Sequence, residues 1–247
     1  VTTAIGIDIG GTGIKGAIVD LSTGLLVSSR VKVATPEGGR PDDIVRSVRE
    51  VIATIGADGN DDKVGICFPA IVRGGRTMSA ANVSKKWIGL EAAALFSEGL
   101  GRSISFVNDA DAAGYAEAQF GAAKGVGGLT ILTTLGTGIG SALLYNGVLV
   151  PNSELGHLEI DGFDYETKAS FAAKERENLD WVQWSKRLRK YYRRLEALFS
   201  PDLFVVGGGV SKNHAEFLPL LELDTPIIPA THRNNAGILG AAAFALV

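Results

Sequence analysis

The sequence predicts an α/β protein built from two related halves, and three observations carry that reading. Short apolar strands alternate with amphipathic helices along the chain, the pattern of mixed sheet-and-helix folds. The run Gly11-Thr12-Gly13-Ile14, followed by Ala17, recurs 125 residues later as Gly136-Thr137-Gly138-Ile139, followed by Ala142. Each copy reads as glycine turn, strand, turn, strand, which predicts two lobes facing one cleft. No Pro-, Ser- or Gly-rich linker separates them, so the lobes are expected to be closely joined.

Taken in order, Ala4–Ile9 alternates as a strand, Ile14–Asp20 follows, and Leu21-Ser22-Thr23-Gly24 turns the chain into a third strand over Leu25–Val33. Pro41-Asp42-Asp43 opens a helix, with acidic residues favourable at its N-terminus. Ile44, Val45, Val48, Val51, Ile52 and Ile55 then fall on one helical face. Lys63–Phe68 and Ser103–Val107 are short buried strands, the second leading into an alanine-rich helix from Ala110 to about Phe120. Thr130–Thr134 and Ile139–Tyr145 are strands, Leu179 to Phe199 is a long amphipathic helix, Leu203–Val206 is a strand and Gly237–Leu246 a small-residue helix.

Composition narrows the function classes. The chain has 247 residues, a net charge of −3, one cysteine and 32 glycines. A single cysteine, Cys67, excludes a disulfide framework and a multi-cysteine zinc cluster. Mild acidity argues against a nucleic-acid partner. Residues 125–153 are uncharged and long enough to span a bilayer, but their seven glycines and four threonines break them into hairpin strands. No basic, apolar leader pattern is visible at the N-terminus, so a cytoplasmic protein without a membrane partner is expected.

Glycine clusters point to a phosphate ligand. Gly11, Gly13 and Gly16 satisfy G-x-G-x-x-G, but a strand rather than a helix follows, unlike a dinucleotide fingerprint. The Walker A spacing fails as well. What remains is a glycine hairpin with Asp8 before it, Thr12 within it and Lys15 after it. Its backbone N–H groups and Thr12 suit phosphate oxygens, and Asp8 suits Mg²⁺ held through water. A tight turn without a ligand reads equally well from this loop alone. The second loop, Gly136-Thr137-Gly138-Ile139-Gly140, and a third cluster, Gly207-Gly208-Gly209 at the end of a strand, favour a nucleotide or polyphosphate cleft.

Polar residues concentrate at two further places. Asn108-Asp109 sits at a strand-to-helix junction, where Asp109 reads either as a helix cap or as a general base. Glu154 and His157 end the uncharged stretch, and carboxylates with an imidazole match the hydroxyl groups of a polyol. A surface turn is the plain alternative. Lys186, Arg187, Arg189, Lys190, Arg193 and Arg194 lie on the long helix whose apolar stripe is Trp181, Trp184, Leu188, Tyr191, Leu195 and Leu198. They read as a solvated face or, together with Lys85 and Lys86, as a track for a polyanion.

These segments, in this order, resemble the ROK family of sugar kinases, and within it the bacterial polyphosphate glucokinases. The likeness is carried by Asp8–Gly16 (including Gly10, Gly11, Thr12, Gly13 and Lys15), by Leu135–Gly140 (including Thr137 and Gly138), by Asn108-Asp109, by Glu154–His157 and by Val205–Ser211. Ser79–Trp87 and the extended Glu154–Gly162 segment look specific to the polyphosphate branch. The resemblance implies an actin-like, hexokinase-like ATPase fold of two ribonuclease-H-like lobes. They are expected over 1–108, with 236–247 returning to it, and over 109–235.

It further implies phosphoryl transfer from polyphosphate or ATP to the 6-hydroxyl of glucose, with mannose as a second acceptor. Asp109 is then the base. Asn82, Asn108, Glu154, His157 and, in place of a later family glutamate, Glu166 bind the sugar. Gly207, Gly208 and Gly209 lie on the nucleotide side, and Lys85, Lys86, Lys186, Arg187, Lys190 and Arg193 form the polyphosphate track. Mg²⁺ is the expected cofactor. Many members carry a cysteine-rich zinc motif after the Gly-His pair, and 158–175 here contain no cysteine. No zinc is therefore expected, and ordinary packing is expected to order His157. The helix-turn-helix of the family's repressors is not present in the sequence, and a monomer or homodimer is expected.

Overall fold

In the computed structural model, which describes residues 2–57, 63–81 and 83–247, the chain is divided between two units, 1–116 with 235–247 and 117–234. The first unit starts with an antiparallel hairpin of β1 (Thr3–Ile9) and β2 (Gly13–Asp20), which sets Asp8 opposite Lys15. The single strand expected over Leu25–Val33 is two, β3 (Leu25–Leu26) and β4 (Val31–Ala34), both paired with β2. The break has a local cause. The Ser28 hydroxyl accepts from Ile18 N–H at 2.9 Å, taking the place of a strand carbonyl.

Helix α1 (Pro41–Thr54) has proline in its first turn and buries Ile44, Val45, Val48, Val51 and Ile52. After it come β5 (Lys63–Phe68), the small hairpin β6 (Val72–Arg73) and β7 (Arg76–Thr77), α2 (Ala92–Leu100), β8 (Ile104–Asn108) and α3 (Asp109–Phe120). The sheet runs β3-β2-β1-β5-β8, with β4 also on β2. Strands β1, β5 and β8 are parallel and end level, Asp8 beside Cys67 and Cys67 beside Val107. That edge is where open α/β sheets present ligands.

The second unit repeats the opening move. β9 (Leu129–Leu135) and β10 (Ile139–Tyr145) form a hairpin, extended by β11 (Val148–Val150). Then follow the two-stranded β12 (Glu159–Ile160) and β13 (Phe163–Asp164), α4 (Glu166–Ala169), α5 (Phe171–Arg176) and α6 (Trp181–Phe199). β14 (Leu203–Gly207) lies parallel to β9, then α7 (His214–Phe217) precedes β15 (Ile227–Pro229). The main sheet runs β11-β10-β9-β14-β15. Asp180 starts α6 through a capping box with Gln183. The helix buries Trp184, Leu188, Tyr191, Tyr192 and Leu195 among Phe204 and Phe217, each contributing about 2 kcal/mol of burial.

Helix α8 (Ala236–Phe244) lies in the first unit, directly on the sheet backbone. A methyl group at Gly6 would overlap the Ile238 carbonyl, and one at Gly65 the Ala241 carbonyl. Glycine is required at both by close approach. Among the described residues no helix is long and apolar enough to cross a membrane; most of the uncharged stretch 125–153 is β9, β10 and β11.

Candidate active site

In the first unit the level strand ends gather two carboxylates, a thiol and the first glycine turn. The turn is closed by Gly10 N–H donating to the Gly13 carbonyl at 3.0 Å. The Thr35 hydroxyl, just beyond β4, donates to the Gly10 carbonyl at 2.5 Å and ties the turn to that strand. Asp8 accepts from Lys15 Nζ at 2.9 Å on one oxygen and from the Cys67 thiol at 3.6 Å on the other. Burial, with the Asp8 and Asp109 carboxylates nearby, pushes the Cys67 thiol well up, so it stays protonated and donates. Gly237 packs against the same carboxylate: a methyl there would sit 2.8 Å from its carbon.

The junction at β8 and α3 divides its labour between adjacent residues. Asn108 is buried, and its side-chain oxygen accepts from Ala110 N–H at 2.8 Å and Asp111 N–H at 3.0 Å, while its amide donates to the Ala70 carbonyl at 3.0 Å. Asn108 therefore performs the capping that the sequence left open for Asp109. Asp109, half-buried, starts the helix with one oxygen accepting from Ala110 N–H at 2.8 Å. Asn82 lies outside the described residues. Lys85 and Lys86 are exposed on a short turn anchored by the buried Trp87, whose indole donates to the Gly39 carbonyl at 2.8 Å.

In the second unit the equivalent turn is closed by Gly136 N–H donating to the Gly138 carbonyl at 3.0 Å. Glu166 accepts from Ile139 N–H at 2.7 Å and lies over Gly138, where any side chain would collide with it. Glu154 and His157 flank a short turn that begins after β11. Burial raises the Glu154 carboxyl above its ordinary value; His157 draws it down in part and Glu166 pushes it up. His157 is not ordered by packing, as expected above. It is half exposed, and its Nδ1 meets Asp164 Oδ2 at 2.8 Å. That hydrogen bond raises the imidazole pKa against the opposing effect of burial, helped by the charges of Glu166, Asp164 and Glu154. Asp164 in turn accepts from Glu166 N–H at 3.2 Å and, through its carbonyl, from the Thr167 hydroxyl at 2.6 Å. The carboxylates of Glu154, Asp164 and Glu166 thus act on one imidazole, a set that donates to and accepts from hydroxyl groups.

The third glycine cluster has a backbone reason at its centre. Gly208 adopts φ +82°, and a methyl there would overlap Leu135 at the end of β9. Gly207 pairs beside Thr134, which brings the cluster next to the second turn.

The model of the family described as ROK family matches residues 4–171. The chain belongs to the ROK family. A polyphosphate glucokinase of Mycobacterium tuberculosis is 44% identical over 238 residues, covering 96% of this chain and 89% of that one. The crystal structure of an inorganic polyphosphate/ATP-glucomannokinase from Arthrobacter sp. strain KM is 50% identical and superposes with a TM-score of 0.93, covering 100% of this chain and 99% of that one. A ROK family glucokinase from Streptomyces griseus, in complex with glucose and AMPPNP, shares the fold at 24% identity and a TM-score of 0.81, over 97% of this chain and 98% of that one. The ROK hexokinase-like α/β fold is thus the fold of this chain.

Most cations of the long basic helix are engaged by partners within the second unit. Arg187 bonds Glu177 at 2.6 Å and the Lys168 carbonyl at 3.0 Å, and Lys190 pairs with Asp161. Both cations brace the segment that carries His157 and Glu166. Arg189 pairs with Glu222 at 3.0 Å and Arg193 donates to the Glu222 carbonyl at 3.3 Å, bracing the turn after α7. Lys186 is exposed. Sequence reasoning missed Asp164, Cys67 as a partner of Asp8, and Glu117. Glu117 is fully buried and accepts from Ala122, Thr231 and His232 N–H at 2.7, 3.0 and 2.8 Å. Cys67 and Glu117 act on partners remote in sequence, and Asp164 meets His157 only once β12 and β13 fold back on each other, so spacing carries no such signal.

Proposed function

We propose that the chain transfers the terminal phosphoryl group of inorganic polyphosphate or ATP to the 6-hydroxyl of glucose, with mannose as a second acceptor. The observation that carries the reading is the grouping of Asp109 with Asp8 and the Lys15-bearing glycine turn at one sheet edge. A base and a phosphate cradle there share one end of three parallel strands. Similarity to the mycobacterial and Arthrobacter enzymes supports the same donors and acceptors. We place the enzyme in the cytoplasm, as a monomer or homodimer, without nucleic-acid or membrane partners.

Asp109 takes the proton of the 6-hydroxyl as that oxygen bonds to the terminal phosphorus, and the bond from phosphorus to the bridging oxygen breaks. Capping by Asn108 sets Asp109 at the first position of α3. Asn82, Asn108, Glu154, His157 and Glu166 bind the sugar hydroxyls. Gly10, Gly11, Thr12, Gly13, Lys15, Thr137 and Gly138 bind phosphate, and Gly207, Gly208 and Gly209 the nucleotide when ATP is the donor.

Both Asp8 oxygens already accept a hydrogen bond, which suits a cation held through water rather than directly. Mg²⁺ bound there and on the donor would neutralise phosphate charge. Among the described residues no three His, Cys, Asp or Glu side chains gather as a cage, in keeping with an ion that arrives largely on its substrate. Of the track cations, Lys85, Lys86 and Lys186 have no ion-pair partner among the described residues, whereas Arg187, Lys190 and Arg193 also hold the fold together.

The test is sugar-dependent phosphate transfer with Mg²⁺, comparing ATP with long-chain polyphosphate and glucose with mannose. In Asp109→Ala, kcat is expected to fall roughly 10²–10⁴-fold with glucose binding retained. Near-normal turnover would remove Asp109 from the role. Glucose binding without transfer from any donor, in the unmodified chain, would make it a sugar sensor, and donor consumption independent of sugar would make it an ATPase.

A further inference from the structure

We propose that Lys32 binds the phosphoryl donor, as the ammonium that meets its phosphate chain beside the first glycine turn. The inference rests on reading that turn as the donor side. The pairing of three strands sets up a row: Asp8 on β1 lies opposite Lys15 on β2, and Lys15 lies opposite Lys32 on β4. Opposed residues of antiparallel strands share a face, with Cβ atoms about 5 Å apart. The row therefore holds one carboxylate and two ammonium groups. Lys15 already pairs with Asp8 at 2.9 Å. Among the described residues no carboxylate lies within ion-pair distance of Lys32. Like charges directly opposite on a sheet face are unfavourable, so the row lacks one negative charge.

The side chain of Lys32 is placed where that charge would arrive. Its stem lies along Gly13: a methyl on Gly13 would be 2.7 Å from Lys32 Cε and 3.6 Å from Nζ. The ammonium thus stands beside Gly13, which follows the exposed Gly11 and Thr12 in the chain. Thr35, on the same strand's extension, holds the turn through the Gly10 carbonyl, so cation and turn are fixed to one frame. An unpaired ammonium, a hydroxyl and glycine backbone without side-chain cover are complementary to the oxygens of a phosphate chain. Lysine acts as a point charge without the planar fork of arginine. It therefore serves a linear polyphosphate and a nucleotide triphosphate alike.

The experiment titrates tripolyphosphate with Mg²⁺, without sugar, into the unmodified chain, Lys32→Met, Lys32→Arg and Lys63→Met, by calorimetry, and measures KM for polyphosphate, ATP and glucose. Lys63 is an exposed lysine at the opposite end of β5 from Cys67, so it controls for net charge. Lys32→Met is expected to weaken tripolyphosphate binding and raise both donor KM values about tenfold, with the glucose KM unchanged. Lys32→Arg should recover most of the loss, and Lys63→Met should show none. Unchanged binding in Lys32→Met, or an equal loss in Lys63→Met, overturns the role of Lys32 and leaves the donor reading standing. If the unmodified chain binds no tripolyphosphate and transfers from no donor, both fall.

Discussion

The two glycine hairpins share Gly-Thr-Gly-Ile, and each is closed on the carbonyl of the motif's second glycine, by Gly10 N–H in one and Gly136 N–H in the other, yet their surroundings differ in charge. Beside the first, Lys15 and Lys32 stand in one row with Asp8 across the paired strands. Over the second lies Glu166, accepting from Ile139 N–H. The shared motif sits one residue apart in register, Ile9 opposite Ile14 but Leu135 opposite Ile139, and the neighbouring strands and helices decide which ligand each turn suits. A motif supplies bared backbone; cations or carboxylates brought in from elsewhere in the chain supply the chemistry.

Substituting the equivalent glycines tests that contrast most sharply. Gly138→Ala forces a methyl group into the Glu166 carboxylate, so either the Ile139 bond or the turn must give. Destabilisation of about 2 kcal/mol is expected, read by chemical denaturation. Gly13→Ala meets only the flexible end of Lys32 and a carbonyl at 3.3 Å, and a loss of about 0.5 kcal/mol is expected. Equal losses would show that the two turns do not differ in the way described.

A smaller effect follows from charge alone. Glu166→Gln keeps an acceptor for Ile139 N–H but removes the charge that raises both Glu154 and His157. Both groups should then titrate at lower pH, followed by NMR of the His157 ring. No displacement of either titration would separate Glu166 electrostatically from the pair. The smallest effect is on stability against pH. His157 has a raised folded-state pKa, so its contribution is fully present below the ordinary histidine value of about 6.5. It is lost as pH rises through the raised value. Melting curves across that window should show a slightly steeper loss for the unmodified chain than for Asp164→Asn. Parallel curves would show that the exposed pair adds nothing.

Local chemistry explains how much of this was legible in the sequence. The hairpins, α1 and α6 were readable because period, proline, acidic first turns and apolar stripes are local signals. The third strand was misread as continuous because Ser28, a side chain, replaces a strand carbonyl at Ile18. Asn108 and Asp109 were correctly placed at a junction, but which of them caps the helix depends on where the Asn108 amide reaches, and Ala70 is distant in sequence. The ordering of His157 by Asp164 was missed for a related reason. A seven-residue separation has no meaning until β12 and β13 fold back on each other. Lys32 became visible only through its strand register.

The seat of α8 on bare glycine has a consequence for biosynthesis. The sheet of β1 and β5 receives its covering helix from residues 236–244, after the whole of 117–234 has been made. At ribosomal speeds that interval is on the order of 10 s. At its end the second unit has its entire sequence in hand, while the first still lacks the helix that packs on its glycine-bared sheet. The nascent chain therefore finishes its middle before its beginning, and that waiting surface is where a chaperone would find it.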